Sequence, residues 1–349
     1  MRFRNGNIFV NGRFVLGSFS VENGRFTHVL EETADREGVD LHGAYVIPGL
    51  VDIHTHGNSG ADFSDGDDDG LVKMAAYLAH CGVTSFAPAS MTLPYAVLET
   101  AFRTAVRLHK AAPAGCARLM GIRMEGPFFS EKKKGAQNAA YLRLPDYDAF
   151  ARLYDAAERC TVSVAHTDAG YEEAAAVFDA GAAHLTHLFN AMPGIHHRHP
   201  GPIGAASERE GVTAELICDG HHVHPSAVRM AFKLFPGRIC LISDALRCCG
   251  MPDGHYTLGR QAVFLSDGVA RLADGTIAGS TANLYDCMRN AVAFGIPREQ
   301  AVLSATAIPA RAIGRQDEIG IIADGLYADF VVCGEDLTRQ AVYLGGSLL

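Results

Sequence analysis

"LVDIHTHGNSG" (residues 50–60) closes an apolar run with two histidines one residue apart and follows them at once with glycine. Side chains two apart on a strand point the same way, so His54 and His56 share one face while Val51, Ile53 and Thr55 take the other. If the run is a parallel strand, both imidazoles stand at its C-terminal end, where the strands of a parallel barrel gather their functional groups. The pair alone is weak. A chain with 16 histidines produces a His-x-His by chance, and two solvated loop histidines explain it equally well.

The segments that follow bear on the choice. The middle of the chain alternates apolar, β-rich stretches with alanine-rich helical ones, the pattern of parallel strands joined by crossover helices. Candidate strands are "GLVDIHTH" (49–56), "TSFAPAS" (84–90), "ARLMGIRME" (117–125), "TVSVAHT" (161–167), "AHLTHLFN" (183–190), "TAELICDG" (213–220) and "RICLISDA" (238–245). The spacing of Leu71, Met74, Ala75 and Leu78 predicts a helix ending at Gly82, and "REQAVLSATAIPARAIG" (298–314) predicts another closing at Gly314. The strand count is seven, whereas a closed (β/α)8 barrel needs eight. Residues 132–160 hold a loop and one helical stretch, "PDYDAFARLYDAAERC" (145–160), but no convincing strand. One unit is hidden, irregular or missing.

Both ends of the chain differ from this middle. "NIFV", "RFVLGSFSV", "RFTHVLE" and "GAYVIPG" near the start, and residues 319–349 at the end, read as short strands joined by turns. The expected architecture is a TIM-like (β/α)8 barrel over residues 48–317, possibly short by one βα unit, with a small β-sandwich domain built from residues 1–47 and 318–349.

Composition limits the partners. A chain of 349 residues with 48% hydrophobic side chains can bury a large core. The net charge of -9 with no basic block beyond Lys132, Lys133 and Lys134 offers no electrostatic footprint for nucleic acid. The expected partner is a small molecule. No run suits a membrane span or a secretory leader, and nine cysteines without a Cys-x-x-Cys pair suggest reduced thiols in a cytoplasmic protein.

Nearly every candidate strand ends in a metal-capable or ionisable residue: His54 and His56, Glu125, His166, His187, Asp219 and Asp244. Each alone has a bland reading, as a hydrogen-bonded core histidine, a capping carboxylate or a turn residue. Together they supply the nitrogen and oxygen ligands that suit Zn²⁺ or a similar divalent ion, which acidifies a bound water. A carboxylate not consumed as a ligand can then move the proton, and Asp244 is the candidate.

With these residues assembled, the chain resembles the amidohydrolase superfamily, and within it the N-acetylglucosamine-6-phosphate deacetylases. The matching segments are "PGLVDIHTHGNSGADFSD", "GVTSFAPAS", "MEGPFFSEKKKGAQN", "SVAHTDAGYEEA", "THLFNAMPGIHHRHPGPIGA", "DGHHVHP", "SDA" and "ATAIPARAIG", in order from Pro48 to Gly314. The resemblance implies that Glu125, His166 and His187 bind the principal metal, that His54 and His56 bind a second one, and that Asp244 is the general base and then acid. It implies that Asn190, the Ala191 backbone, Arg198 and His222 hold a sugar phosphate. Gln137 stands where many members have a histidine that polarises the substrate carbonyl.

The implied reaction is metal-dependent hydrolysis of an N-acetyl amide in amino-sugar catabolism. One or two ions would bind per subunit, Zn²⁺ first and Fe²⁺, Mn²⁺ or Co²⁺ as alternatives, with no organic cofactor, in a homodimer. Three alternatives stay open: N-acetylgalactosamine-6-phosphate as substrate, another amidohydrolase activity, and a catalytically silent relative that binds metal or sugar phosphate. The chain between Glu125 and His166 is shorter than the family leads one to expect by about one strand and helix unit, the place where the strand count falls short.

Overall fold

The computed structural model describes residues 1–31, 37–154 and 160–349. Each of the seven candidate segments contains a parallel strand. Leu50–Thr55 pairs with Val83–Ser90, whose other edge carries Arg118–Leu119 and Arg123–Met124. A second parallel sheet runs in order through Ser163–Val164, His184–Leu185, Thr213–Ile217 and Ile239–Ile242. Leu50–Thr55, Val83–Ser90 and Thr213–Ile217 are buried along their whole length. That is why they read as continuous apolar runs rather than alternating ones.

The two sheets meet on one side. The amide of Asp244 donates to His54 O, and those of His56 and Gly57 donate to Ala245 O, all at 2.9 Å. Below them the fully buried Asp52 accepts the Ser243 hydroxyl at 2.6 Å and the His54 amide at 3.2 Å. Burial pushes the Asp52 pKa up to about 6 in spite of these donors.

On the other side the ladder stops. Among the described residues no strand lies between Arg123–Met124 and Ser163–Val164. That interval holds the short turns Glu131–Lys133 and Ala139–Tyr141 and the helix Tyr147–Tyr154. Residues 155–159, where the predicted helix would continue, lie outside the described residues. Side chains bridge the seam instead: the Arg123 guanidinium reaches Thr186 Oγ1 and Glu215 Oε1, each at 2.6 Å.

Local chemistry sets the helix ends. Asp67 caps Asp68–His80 by accepting from the Asp69 and Gly70 amides, and the helix buries Leu71, Met74, Ala75 and Leu78. It stops at Gly82, whose φ of 85° suits a residue without a Cβ. The single helix predicted over 298–314 is corrected to two, Arg298–Ala305 and Ala307–Ala312. Pro309 explains the break, because it lacks an N–H and its ring crowds the carbonyl of Ala305 four residues back.

After Asp244 the chain forms an antiparallel sheet of Gly254–Leu258, Gln261–Ser266, Val269–Arg271 and Ile277–Gly279, absent from the sequence reading. Its Leu258, Val263, Leu265 and Ala270 pack on Met91, Leu93 and Ala136. Gln261 Nε2 donates to Ala136 O at 2.6 Å, tying this sheet to the loop that carries Gln137.

The chain ends meet in one eight-stranded sheet, with Tyr45–Pro48 between Phe330–Cys333 and Arg2–Val10. The expected small β domain is built from one continuous sheet that rolls on itself, so that its layers share strands rather than coming from two separate sheets. Phe330 lies three strand positions from Phe19, about 14 Å on a flat sheet, yet their ring centroids are 5.1 Å apart. Bulges between Phe3 and Gly6 and between Val332 and Cys333 supply the bend.

Replacing Ser243 with Ala removes the O–H donor from a fully buried carboxylate. The expected loss is about 1–3 kcal/mol, measured by the urea unfolding midpoint. An unchanged midpoint would show that the Asp52–Ser243 bond does not hold this seam.

Candidate metal centre

Three strand ends deliver four imidazoles to one carboxylate. Glu125, 3% exposed, places Oε1 at 3.3 Å from His54 Nε2, 3.4 Å from His166 Nε2 and 3.2 Å from His187 Nε2. Its Oε2 lies 3.1 Å from His56 Nε2. Asp244 Oδ1 completes the ring, 3.3 Å from His56 Nε2 and 3.5 Å from His54 Nε2. Two overlapping triplets could each hold a cation: His54, His56 and Glu125, and Glu125, His166 and His187.

The other nitrogen of every ring is already committed. His56 Nδ1 faces Ala89 O at 3.1 Å, His166 Nδ1 faces Lys133 O at 2.9 Å, His187 Nδ1 faces Asn190 O at 3.2 Å and His54 Nδ1 faces Glu215 Oε2 at 3.0 Å. Each of these partners only accepts, so each Nδ1 carries the proton. The four Nε2 atoms are then left to the centre, the arrangement by which proteins orient metal-binding histidines. His166 Nε2 and His187 Nε2 stand 3.0 Å apart, a separation that calls for a proton on one ring or a metal ion between the two nitrogens. His54 Nε2 and Glu125 Oε1 are buried without a hydrogen-bond partner. The donor set therefore fits a divalent ion.

The electrostatics say the same. Burial alone would raise the Glu125 pKa, but the His54 charge and the close approach of the His166 and His187 rings hold it well below the usual carboxylate range. Burial likewise opposes ionisation of Asp244, and His54 and His56 bring its pKa down. Burial and Arg123 act to lower the His54 pKa, yet Glu125, Glu215 and Asp244 outweigh them and push it up to about 9. His56 is raised well above its ordinary value against burial, through Asp244 and Glu125. In the metal-free chain, protons on these rings supply the positive charge that the carboxylates require.

The remaining predicted residues are placed less uniformly. Gln137, 3% exposed, donates through Nε2 to Glu125 Oε2 at 2.9 Å and accepts the Thr92 amide at 2.8 Å. In this arrangement its amide faces Glu125 and the Thr92 backbone. His222 Nδ1 is held 2.6 Å from Asp219 Oδ2, and Asp219 also accepts the His221 and His222 amides. The Asn190 side chain turns back onto the carbonyls of His187 and Leu188. Ala191 follows in the left-handed region at φ 52°. Arg198 is exposed, and among the described residues its guanidinium makes no ion pair.

Two participants escaped the sequence reading. Glu215 and Arg123 lie within apolar strand segments rather than at strand ends. The available signal was a charged residue in an otherwise apolar run, which is unusual unless it is paired.

A parallel α/β array whose strand ends converge imidazoles and carboxylates on a cation-demanding centre defines a metal-dependent hydrolase. The pattern of the Amidohydrolase family matches residues 147–349. The N-acetylglucosamine-6-phosphate deacetylase of Vibrio furnissii is 34% identical, over 94% of this chain and 89% of that protein. The N-acetylgalactosamine-6-phosphate deacetylase of Escherichia coli is 33% identical, over 87% of each. A solved structure of a mutant N-acetyl-D-glucosamine-6-phosphate deacetylase from Mycobacterium smegmatis, in complex with N-acetyl-D-glucosamine-6-phosphate, superposes with a TM-score of 0.91. It is 33% identical and covers 100% of this chain and 98% of that one. The chain belongs to the amidohydrolase family and, within it, to the N-acetylglucosamine-6-phosphate deacetylases.

The raised His54 pKa has a testable consequence. Its folded value of about 9 exceeds the ordinary 6.5, so the stability it contributes is complete below about 6.5 and lost as pH rises through 9. The melting temperature of the chelator-treated chain should therefore fall over that interval. The fall should be absent from a Zn²⁺-loaded sample, in which the ion replaces the protons. Parallel pH profiles for the two samples would contradict the assignment.

Proposed function

We propose that the protein hydrolyses the N-acetyl amide of N-acetylglucosamine-6-phosphate, giving acetate and glucosamine-6-phosphate, with a divalent ion at the Glu125 centre. The observation that carries this reading is the convergence of four Nε2 atoms on Glu125 with every Nδ1 engaged elsewhere. The sugar phosphate bound in the Mycobacterium smegmatis relative supports the choice of substrate.

Glu125, His166 and His187 would hold the principal ion, and His54 and His56 with Glu125 a second. Zn²⁺ is the best match to this nitrogen-rich set. Bound there, a divalent ion supplies an acidified water and an electrophile for the amide carbonyl. Asp244, with its pKa lowered, begins as the ionised base. It takes the proton of the attacking water and delivers it to the departing nitrogen as the acetyl C–N bond breaks. The hydroxyl goes to the acetyl carbon and the amine leaves neutral.

Substrate binding falls to the outer residues. The guanidinium of Arg198, which makes no ion pair among the described residues, suits a phosphate, which it can meet with two parallel charge-assisted hydrogen bonds. His222, oriented by Asp219, offers Nε2 to a sugar hydroxyl or phosphate oxygen, and Asn190 and the Ala191 backbone line the same approach. The parallel strands are read as a (β/α)8 barrel short, among the described residues, by one βα unit between Met124 and Ser163.

Acetate release from N-acetylglucosamine-6-phosphate, by protein of measured metal content, tests the reading. N-acetylgalactosamine-6-phosphate in parallel decides between the epimers by kcat/KM. No release of acetate from either sugar by folded, metal-loaded protein would sink it. Asp244→Asn should keep its metal and lose about 10²- to 10⁴-fold in kcat, so full activity would remove Asp244 from its role. Arg198→Ala should raise KM for the phosphorylated sugar while leaving an unphosphorylated one unaffected. An equal loss on both would contradict the phosphate contact.

A further inference from the structure

Three of the four imidazoles around Glu125 are oriented by backbone carbonyls. The fourth, His54, is oriented by a side chain, and that side chain is fully buried. Glu215 Oε2 accepts from His54 Nδ1 at 3.0 Å and from the His187 amide at 3.1 Å. Its Oε1 faces His184 Nε2 at 2.9 Å and Arg123 Nη1 at 2.6 Å. Arg123 also donates to Thr186 Oγ1, which lies 2.6 Å from Ser163 Oγ.

We propose that Glu215, anchored by Arg123 across the open seam, is a positioning residue for the metal centre. It fixes His54 with Nε2 aimed at Glu125 and holds the backbone of His187 in register with it. The inference rests on the metal-centre reading above. A carboxylate can only accept, so the proton of a metal-bound His54 must sit on Nδ1, leaving the Nε2 lone pair for the ion. A single oxygen, Glu215 Oε2, grips one member of each candidate triplet, His54 of the first and His187 of the second.

Arg123 does two things. It lies two residues before Glu125 on the same strand segment, so both side chains leave the strand on the same face. It also links that strand to the Thr186 and Glu215 side of the seam, where no backbone ladder does so. The pair of charges therefore spans the place where the parallel array is open and ends on the metal centre.

The test uses the full chain, stripped by chelator and titrated with Zn²⁺ against a chromophoric competitor, then with Co²⁺ to record the visible spectrum. Glu215→Gln should weaken the more sensitive of the two sites by about 10- to 100-fold and change the Co²⁺ spectrum. Because that variant leaves Arg123 unpaired, the charge-neutral double variant Arg123→Met with Glu215→Gln is measured beside it. Loss of affinity in the double variant, at a melting temperature close to that of the unaltered protein, supports positioning over a merely structural ion pair. Unaltered Zn²⁺ affinity and Co²⁺ spectrum in the folded double variant overturn the inference while leaving the metal centre standing. Failure of the unaltered chain to bind Zn²⁺ overturns the metal-centre reading and this inference with it.

Discussion

A carboxylate sealed from water must be surrounded by positive charge or give up its own, and Glu125 is sealed. Its Oε1 has no hydrogen-bond donor, and its nearest neighbours are imidazole nitrogens. Much of the structure is arranged to satisfy that one group. Strand ends 133 residues apart in sequence, at His54 and His187, meet there. Backbone carbonyls turn three of the rings and Glu215 the fourth, and Gln137 is spent on the oxygen that His56 also faces. Asp244 adds a second negative charge at the same place. A divalent ion answers both carboxylates at once, which no arrangement of the protein's own cations does without protonating the rings.

The same economy explains an interior unlike the branched apolar layers typical of a parallel barrel. Asp52 with Ser243 ties the first and last parallel strands, and Arg123 with Glu215 ties the third to those beyond the gap. At both seams buried polar side chains supplement or replace ladder hydrogen bonds. Buried ion pairs are seldom a source of net stability, since desolvation offsets much of their attraction. Their value here is geometric, because each seam contact ends within a residue or two of a group at the centre. Burial pulls the Glu215 pKa up, and Arg123, then His54 and His184, hold it well below the ordinary range, so the network remains charged.

Much of this was legible in the sequence, for identifiable reasons. The seven parallel strands announced themselves as apolar runs, six of them ending in ionisable residues, because strands covered on both faces tolerate little else. His54, His56, Glu125, His166, His187 and Asp244 could be nominated because they sit at those ends. Glu215 could not, since mid-strand it looks like an error in an apolar pattern until Arg123, ninety residues away, is placed against it. The hairpin sheet from Gly254 to Gly279 was missed because its strands are short and bury few residues, Leu258, Val263, Leu265 and Ala270 among them. The break at Thr306 was available from Pro309 alone. The rolled sheet of the chain ends needed long-range information, because rolling and stacking bury the same alternate residues.

Period-two reasoning also stops short of the site itself. His166, His187 and Asp244 have φ of 43°, 25° and 48°, outside the pleat that the argument from strand faces assumes. Left-handed backbone in such residues costs of order 1–3 kcal/mol each and survives only where the surroundings hold it. Here the surroundings are visible: the Asp244 amide is bound to His54 O, the His166 carbonyl to the Ser130 amide and the His187 amide to Glu215. Each twist turns a side chain off its strand and toward Glu125. The strands bring the residues to one face, and the strained turns at their ends aim them. A centre built this way depends on the loops and on Glu215 as much as on the sheet, which is why it remains assembled beside a gap in the ladder.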